Sequence, residues 1–235
     1  MQPRHAAEVR EQLARASLYL IFTPALCAGR DPLAVLEAVL PFVDLVQVRT
    51  KASRQATDPA RTHAREHYET CTAVLELAAA RGRDAPLVLA NDRVDVARSL
   101  LESGLAGVHV GQDDAPPNVA RALLGPAALI GLSTHSPAQV AEALEEPVDY
   151  LGFGPVHPTP TKGYERGLGA EAAWIAHTAS PLPVFPIGGI TRENLGELAL
   201  IGRAALSSAI LSAPDPAAAA RELRRLLSER ESLSP

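Results

Sequence analysis

Lysine is scarce in this 235-residue chain, since only Lys51 and Lys162 occur among its 22 lysines and arginines. Each of the two follows the end of a predicted strand and lies in a segment dense with polar groups. A lysine ammonium is a compact charge on a flexible stem, and it binds phosphate oxygens well as a point charge. Chance placement in an arginine-rich chain is the alternative. The positions at strand ends, where parallel α/β folds bind ligands, favour phosphate-binding roles for both lysines.

The two cysteines and the few aromatic residues exclude several kinds of site. Cys27 and Cys71 form no CxxC motif and no cysteine–histidine spacing, so we predict buried or half-buried thiols in a reducing compartment. Aromatic residues make up 4% of the chain and form no stacking platform for single-stranded nucleic acid. No serine or cysteine shows the nucleophile-elbow pattern of hydrolases.

Long apolar runs and net positive charge are also missing. No stretch of about 18 apolar residues occurs, which argues against a membrane span. The first 18 residues carry five charged side chains and no long apolar run, unlike a secretory signal, so we expect a cytoplasmic protein. The net charge of −5 predicts no general attraction to nucleic acid or to anionic membranes. An anionic ligand would therefore need a local cluster of positive charge.

Short apolar runs alternate with helical stretches eight times along the chain, which predicts an α/β fold of the (β/α)8 TIM-barrel type in a single domain. Residues 1–17 are expected to form an N-terminal helical extension, and residues 18–230 the catalytic barrel. The segment 52–59 is the least regular, and we predict a loop there whose role as a lid stays open. The predicted strands lie near residues 18–23, 45–49, 87–90, 107–111, 128–133, 150–154, 184–189 and 204–210. Helices are expected over residues 31–43, 60–81, 117–124, 170–179 and 215–229. One further helix is expected to end at about residue 102, and two more to begin at residues 136 and 191.

Polar residues gather at the carboxyl ends of these strands, which meet on one face of such a barrel. The combination of cations, carboxylates, hydroxyls and glycines indicates a site for phosphate groups together with a hard metal ion. Asp92 and Asp114 follow neighbouring strands, and two such carboxylates are enough to anchor Mg²⁺, which takes its other ligands from water and substrate phosphate. Either aspartate alone would more simply be a helix N-cap, but the pair favours a metal site.

Two further segments offer phosphate contacts on the other strands. Gly188 and Gly189 follow the seventh strand and let the backbone approach a phosphate closely, although a turn or cap role is the alternative. Ser207-Ser208 on the eighth strand falls where barrels often bind phosphate. The hydroxyls of Thr159 and Thr161 lie beside Lys162, with loop structure alone as the simpler interpretation.

The histidines give weaker signals. His63 and His67 are one helical turn apart, but no third zinc ligand lies nearby in the sequence, so we predict a solvated helix face. His109 sits within a strand, which indicates a barrel-interior residue with a satisfied hydrogen bond.

Several motifs together resemble the thiamine phosphate synthase family over residues 18–226. They are Asn91-Asp92-Arg93-Val94-Asp95, the segment 107–114, Gly131-Leu132-Ser133-Thr134-His135, the segment 149–155, Thr159-Pro160-Thr161-Lys162 and Ile187-Gly188-Gly189-Ile190. The resemblance implies a (β/α)8 barrel and an Mg²⁺-dependent transferase. Its reaction joins 4-amino-2-methyl-5-(diphosphooxymethyl)pyrimidine to a thiazole phosphate, with or without a carboxylate, and gives thiamine phosphate and pyrophosphate.

The resemblance also assigns expected roles to individual residues. Those matching contacts to the pyrimidine diphosphate are Gln47, Arg49, Lys51, Asn91, Ser133 and Lys162. Those matching contacts to the thiazole phosphate are Thr159, Thr161, Gly189, Ser207 and Ser208. Asp92 and Asp114 match the Mg²⁺ ligands, while Arg49, Lys51, Lys162 and Ser133 are expected to act on the departing pyrophosphate. No protein nucleophile is needed, because the pyrimidine supports a cationic methylene that the thiazole nitrogen attacks.

The chain departs from the family pattern at a few points, and other functions stay open. Thr50 stands where the family usually has glutamate, Ser207 stands where an aliphatic residue is common, and the segments after Lys51 and Asp92 are longer than usual. A thiazole tautomerase, a non-catalytic barrel that binds thiamine precursors or a protein, and another phosphate-binding barrel enzyme are the alternatives. Small molecules are the expected partners, rather than nucleic acid or membrane, and a homo-oligomer is one alternative for the assembly.

Overall fold

The computed structural model of the protein describes residues 6–50, 59–159 and 166–231, without side-chain detail for 59–62 and 229–231. Three predicted site residues, Lys51, Thr161 and Lys162, therefore lie outside the described residues. So does nearly all of the loop predicted over 52–59.

Eight parallel strands form the barrel, and each pairs with its sequence neighbour. They are β1 Leu18–Phe22, β2 Leu45–Val48, β3 Leu87–Asn91, β4 Gly107–Val110, β5 Leu129–Thr134, β6 Tyr150–Phe153, β7 Val184–Pro186 and β8 Ala204–Leu206. The first strand also pairs with the last, and a parallel bridge between Ile187 and Ala205 joins the remaining edges. The predicted (β/α)8 barrel is confirmed.

Helices follow the strands and cover the outside of the barrel. They are α1 Ala6–Arg15, α2 Pro32–Val39, α3 Pro59–Ala79, α4 Val94–Leu100, α5 Pro117–Leu124, α6 Pro137–Ala143, α7 Ala170–Ala179, α8 Ser208–Leu211 and α9 Pro216–Glu231. The starts of three helices were marked in the sequence by a polar residue before proline. Asp31, Ser136 and Asp215 each accept a hydrogen bond from a backbone N–H in the first turn, which stabilises the helix start.

The region after β7 differs from the prediction. A helix was expected from Thr191, but only a short 3₁₀ turn forms at Leu195–Leu198. The Asn194 side chain accepts from the N–H of Thr191 and donates to the carbonyl of Gly189, so it supplies local bonds that compete with a helix. Strand β7 also ends earlier than predicted, because Gly188 and Gly189 turn the chain with positive φ.

The barrel interior and the strand–helix interface form two separate apolar cores. Inward-facing residues of the interior core include Tyr19, Leu89 and Phe185, which alternate along their strands with outward-facing residues. Helix α1 closes the amino-terminal end of this interior with Val9 and Leu13. None of the helices in the described part of the chain combines the length and apolar character that a membrane span needs.

Candidate active site

A cavity of about 200 Å³ opens at the carboxyl ends of the strands. Every predicted site residue that the structure describes lines this cavity. These residues are Gln47, Arg49, Asn91, Asp92, Asp114, Ser133, Thr159, Gly189, Ser207 and Ser208. The barrel thus brings together side chains separated by up to 161 positions in the sequence, and the roles assigned to them are developed as a proposal below.

Asp92 and Asp114 are neighbours on one side of the cavity, and the Asp114 carboxylate acts directly on Asp92. Asp92 adopts a left-handed backbone conformation with φ of 61°, which aspartate tolerates better than most residues. Its N–H donates to the carbonyl of His109 at 2.8 Å, and this bond fixes the turn after β3. The Asp114 carboxylate accepts from the N–H of Gly111 at 2.8 Å. The two carboxylates are therefore held together by backbone geometry at the ends of β3 and β4.

Within the described part of the chain, two neighbouring groups offset part of the negative charge of this pair. Burial, followed by the neighbouring Asp114 carboxylate, raises the pKa of Asp92 to about 6. The side chain of Asn91 donates to Asp92, and the positive charge of Arg49 also acts on it, and both favour the ionised form. Two converging carboxylates that repel one another fit a divalent cation bound through oxygen.

No group of three or more histidine, cysteine, aspartate or glutamate side chains suited to a metal occurs within the described ranges. A cation held by Asp92 and Asp114 would therefore complete its coordination with water or ligand oxygens. Mg²⁺ commonly binds in this way, through one or two carboxylates plus substrate phosphate.

The opposite side of the cavity is formed by the ends of β7 and β8. A Cβ atom at Gly188 would lie 2.6 Å from Cβ of Pro155, and one at Gly189 would lie 2.5 Å from the carbonyl oxygen of Pro158. Only glycine permits this close approach of the two loops together with positive φ. The Ser207 hydroxyl donates to the carbonyl of Ile21 at 2.7 Å, so its proton is already used within the protein. Ser208 begins the short helix α8 and also lines the cavity.

Two tyrosines that sequence reasoning missed lie at and below the floor of the cavity, where Tyr19 is one of the lining residues. Tyr19 and Tyr150 are buried in the barrel interior, and their hydroxyls lie 2.9 Å apart. His109 contacts both the Tyr150 hydroxyl, at 3.0 Å, and the Ser133 hydroxyl, at 2.9 Å. The expectation that His109 is an interior residue with satisfied hydrogen bonds is confirmed. Both tyrosines stand in apolar runs, where the sequence indicates core and gives no sign of a polar partner.

Thr50 and the two histidines of α3 form a separate cluster outside the cavity. The Thr50 hydroxyl lies 3.1 Å from Nε2 of His63 and 2.9 Å from Nδ1 of His67. The prediction of a solvated helix face is wrong for His67, whose side chain is 1% exposed. The reason is that this face of α3 packs on the end of β2, where Thr50 offers a hydrogen-bond partner. Thr50 therefore faces α3 and is not among the residues that line the cavity.

Comparison with known proteins connects this cavity to one family. The family model of thiamine monophosphate synthase matches residues 18–210. A thiamine-phosphate synthase of Mycobacterium sp. strain KMS is 44% identical over 224 residues, which cover 93% of this chain and 95% of the relative. A thiamine-phosphate synthase of Synechocystis sp. is 41% identical over 222 residues, or 93% of this chain. The chain spans only 59% of the length of that cyanobacterial relative.

A solved structure is also similar. The thiamine phosphate pyrophosphorylase of Pyrococcus furiosus superposes with a TM-score of 0.75 and 29% sequence identity. The superposition covers 94% of this chain and 98% of the archaeal one. Similarity therefore extends over nearly the whole chain.

Proposed function

We propose that this chain, which belongs to the thiamine monophosphate synthase family, joins a pyrimidine diphosphate to a thiazole phosphate. The substrates of the proposed reaction are 4-amino-2-methyl-5-(diphosphooxymethyl)pyrimidine and a thiazole phosphate, and the products are thiamine phosphate and pyrophosphate. One observation carries this proposal. A single cavity combines the Asp92–Asp114 pair on one side with the close-packed Gly188-Gly189 turn on the other.

The pyrimidine diphosphate is assigned to the side of the cavity formed by β2 to β5. Gln47 offers amide groups to the aminopyrimidine ring, while Asn91 and Ser133 offer donors to the substrate. Arg49 lines the same side and supplies a positive charge near Asp92. Lys51 and Lys162 join this group in the proposal, on the resemblance of their motifs.

The reaction exchanges one bond for another. The bond between the pyrimidine methylene and the diphosphate oxygen breaks, and its electron pair leaves with pyrophosphate. The thiazole nitrogen then donates its lone pair to the methylene carbon, which gives the thiazolium of thiamine phosphate. Arg49, Lys51, Lys162 and the Ser133 hydroxyl stabilise the negative charge that grows on the departing oxygen, an electrostatic effect that dominates much enzyme catalysis. Mg²⁺ held by Asp92 and Asp114 supplies additional neutralisation of the pyrophosphate when bound.

The thiazole phosphate is assigned to the opposite side of the cavity. Thr159, Gly189 and Ser208 line it there, and Thr161 joins them in the proposal. Because the Ser207 hydroxyl already donates to Ile21, its contribution to phosphate binding would come through the backbone N–H. The cytoplasm is the proposed location, because Cys27 and Cys71 are both buried free thiols of the kind reducing compartments preserve.

Incubation of the purified protein with both substrates and Mg²⁺ tests the proposal. Thiamine phosphate and pyrophosphate should appear in equal amounts, and omission of the thiazole phosphate should abolish thiamine phosphate formation. Metal-independent isomerisation of a thiazole phosphate would support the tautomerase alternative instead. Binding of both substrates by calorimetry without any turnover would support a non-catalytic barrel.

A further inference from the structure

A continuous chain of hydrogen bonds crosses the barrel interior and joins two residues of the cavity. Nε2 of Gln47 donates to the hydroxyl of Tyr19 at 2.7 Å. The Tyr19 and Tyr150 hydroxyls are 2.9 Å apart, and the Tyr150 hydroxyl is 3.0 Å from Nδ1 of His109. Nε2 of His109 is 2.9 Å from the Ser133 hydroxyl. Gln47 and Ser133 both line the cavity, so this chain of hydrogen bonds begins and ends at the cavity wall.

Counting protons gives this chain of hydrogen bonds a direction, from Gln47 to Ser133. Tyr19 accepts from Gln47, so its single hydroxyl proton goes to Tyr150, its other described partner. Tyr150 then has its own proton left for Nδ1 of His109. An imidazole that accepts at Nδ1 carries its proton at Nε2, and that proton is donated to Ser133. In the opposite direction the Tyr19 hydroxyl would receive two protons and keep one buried donor without an acceptor.

We propose that Tyr19, Tyr150 and His109 are positioning residues that fix the Gln47 amide and the Ser133 hydroxyl in one mutually dependent arrangement. In this arrangement Gln47 presents its carbonyl oxygen and one N–H to the ligand. Ser133, which accepts from His109, presents its proton to the ligand. The two ends of the chain therefore recognise the two halves of one substrate, a ring with adjacent donor and acceptor groups and an anionic oxygen.

The reversed arrangement, which differs from the one that the structure shows, would be disfavoured further by an anionic ligand. If the Gln47 amide turned over, Tyr19 would donate to its oxygen, every bond of the chain would reverse, and Ser133 would donate to His109. Ser133 would then meet the ligand only as an acceptor. A fully ionised phosphate oxygen carries no proton to donate, so it selects the arrangement in which Ser133 donates. Binding of the anionic group thereby orients an amide on the far side of the barrel interior.

The packing around these hydrogen-bonded side chains supports a network that is held in one geometry. Tyr19, Tyr150 and His109 are all at most 7% exposed. A Cβ atom at Gly131 would lie 2.1 Å from Cζ of Tyr150 and 2.5 Å from Nδ1 of His109, so glycine is required there for the two rings to meet. Burial is the main cause that raises the pKa of both tyrosines, and both hydroxyls therefore keep their protons.

Nitrogen-15 NMR of histidine-labelled protein without substrate tests the direction of the chain. At a pH where the imidazole is neutral, His109 should show a protonated Nε2 and an unprotonated Nδ1, and His109→Gln assigns its signals. Tyr150→Phe should convert this single tautomer into a mixture, because Nδ1 loses its donor. The matched control is Tyr68→Phe, which removes a hydroxyl from an exposed tyrosine on α3 and should leave the His109 signals unchanged. A neutral wild-type His109 protonated at Nδ1 would overturn the proposal.

A double-mutant cycle tests whether the two ends are coupled. Gln47→Ala and Ser133→Ala are measured singly and together for kcat/KM, first in the wild type and then in Tyr150→Phe. The effects should be non-additive by about twofold or more in the wild type, the scale seen within one hydrogen-bond network, and additive in Tyr150→Phe. Additive effects in the wild type would contradict the coupling. This arm rests on the proposed function, whereas the NMR arm needs no substrate, so the two failures are distinguishable.

Discussion

At the scale of single residues, the carboxylates of Asp92 and Asp114 bear most directly on the chemistry. Burial and the neighbouring Asp114 carboxylate both raise the pKa of Asp92, so the ionised form of Asp92 is disfavoured in the absence of a cation. A divalent cation between the two carboxylates would remove their repulsion, which supports the metal site proposed for this pair. The exposed neighbour Asp113 does not line the cavity and provides a natural comparison.

Asp114→Asn should raise the Mg²⁺ concentration needed for half-maximal activity by about tenfold or more. An amide keeps the shape of the side chain but loses the charge that a hard cation prefers, and even outer-sphere partners of metal ligands affect affinity on this scale. Activity as a function of Mg²⁺ concentration is the measurement, with Asp113→Asn as the control that should match the wild type. Equal curves for both variants, or full wild-type activity in excess EDTA, would remove the metal assignment.

A second prediction concerns His67 and the stability of the fold rather than catalysis. Burial, followed by the nearby charges of His63 and Arg93, lowers the pKa of His67 to about 4 despite the opposing effect of Asp95. In the unfolded chain the imidazole titrates at about 6.5, so below that pH the unfolded state binds the additional proton. The free energy of unfolding should therefore fall as the pH drops from about 6.5 to about 4, and this contribution is fully present above 6.5.

The His67 contribution amounts to at most about 3.5 kcal/mol, at ~1.4 kcal/mol for each pH unit between the two pKa values. Urea unfolding of the wild type and of His67→Gln at a series of pH values measures it. The difference in unfolding free energy between the two proteins should be constant above pH about 7 and shift in favour of the variant as the solution becomes acidic. Parallel pH profiles would show that His67 is not held neutral in the fold.

At the scale of elements, local sequence signals predicted most of the barrel. Each of Asp31, Ser136 and Asp215 stands directly before proline, and each caps a helix that begins close to the predicted position. The failure after β7 has a local cause too, since Asn194 bonds its own backbone neighbours and no full helix forms. Apolar runs and caps depend on a few adjacent residues, which is why the sequence is sufficient for them.

Helix α1 is the element whose contribution is least evident from its sequence. Its outer face is charged, but Leu13 is 2% exposed at the amino-terminal end of the barrel. Arg10 bonds Asp149 at 2.9 Å, and Arg203 donates to the carbonyls of Leu13 and Ala14, so the helix is attached at several points. The closure of the barrel floor therefore depends on a segment that precedes the first strand.

Leu13→Ala should lower the free energy of unfolding by about 2–5 kcal/mol, the range for truncating a buried leucine where the site cannot fully collapse. Denaturant unfolding at constant m-value is the measurement. Glu11→Ala on the exposed side of the same helix is the control, and it should change stability little because its ion pair with Arg15 is fully at the surface. Similar losses for both variants would indicate that α1 acts through helix propensity and not through burial.

At the scale of the whole molecule, the register between strands determines which distant side chains meet inside the barrel. The sequence alone does not predict these contacts. Tyr19 and Tyr150 lie 131 positions apart, and only the closed barrel brings their hydroxyls together. His109 was expected inside the barrel, but its partners follow from how β4, β5 and β6 are staggered. Charged residues and glycines at the strand ends allow the cavity to be predicted from the sequence. Tyrosines within apolar runs give no sequence signal that they belong to it.

The barrel also separates the two proposed phosphate sites, and this separation yields the last prediction. Asp92 and Asp114 follow β3 and β4, while Gly189 and Ser208 follow β7 and β8, on the opposite side of the eight-stranded barrel. Pyrimidine diphosphate brings negative charge to the carboxylate pair and should bind weakly without metal. Mg²⁺ and the diphosphate each neutralise the surroundings of the other, so by linkage each should increase the affinity for the other by the same factor.

Thiazole phosphate, bound across the barrel, should show little dependence on Mg²⁺. Calorimetric titration of each substrate with and without Mg²⁺ measures both effects, and a stronger metal dependence for thiazole phosphate would mean that the two sites are assigned the wrong way round.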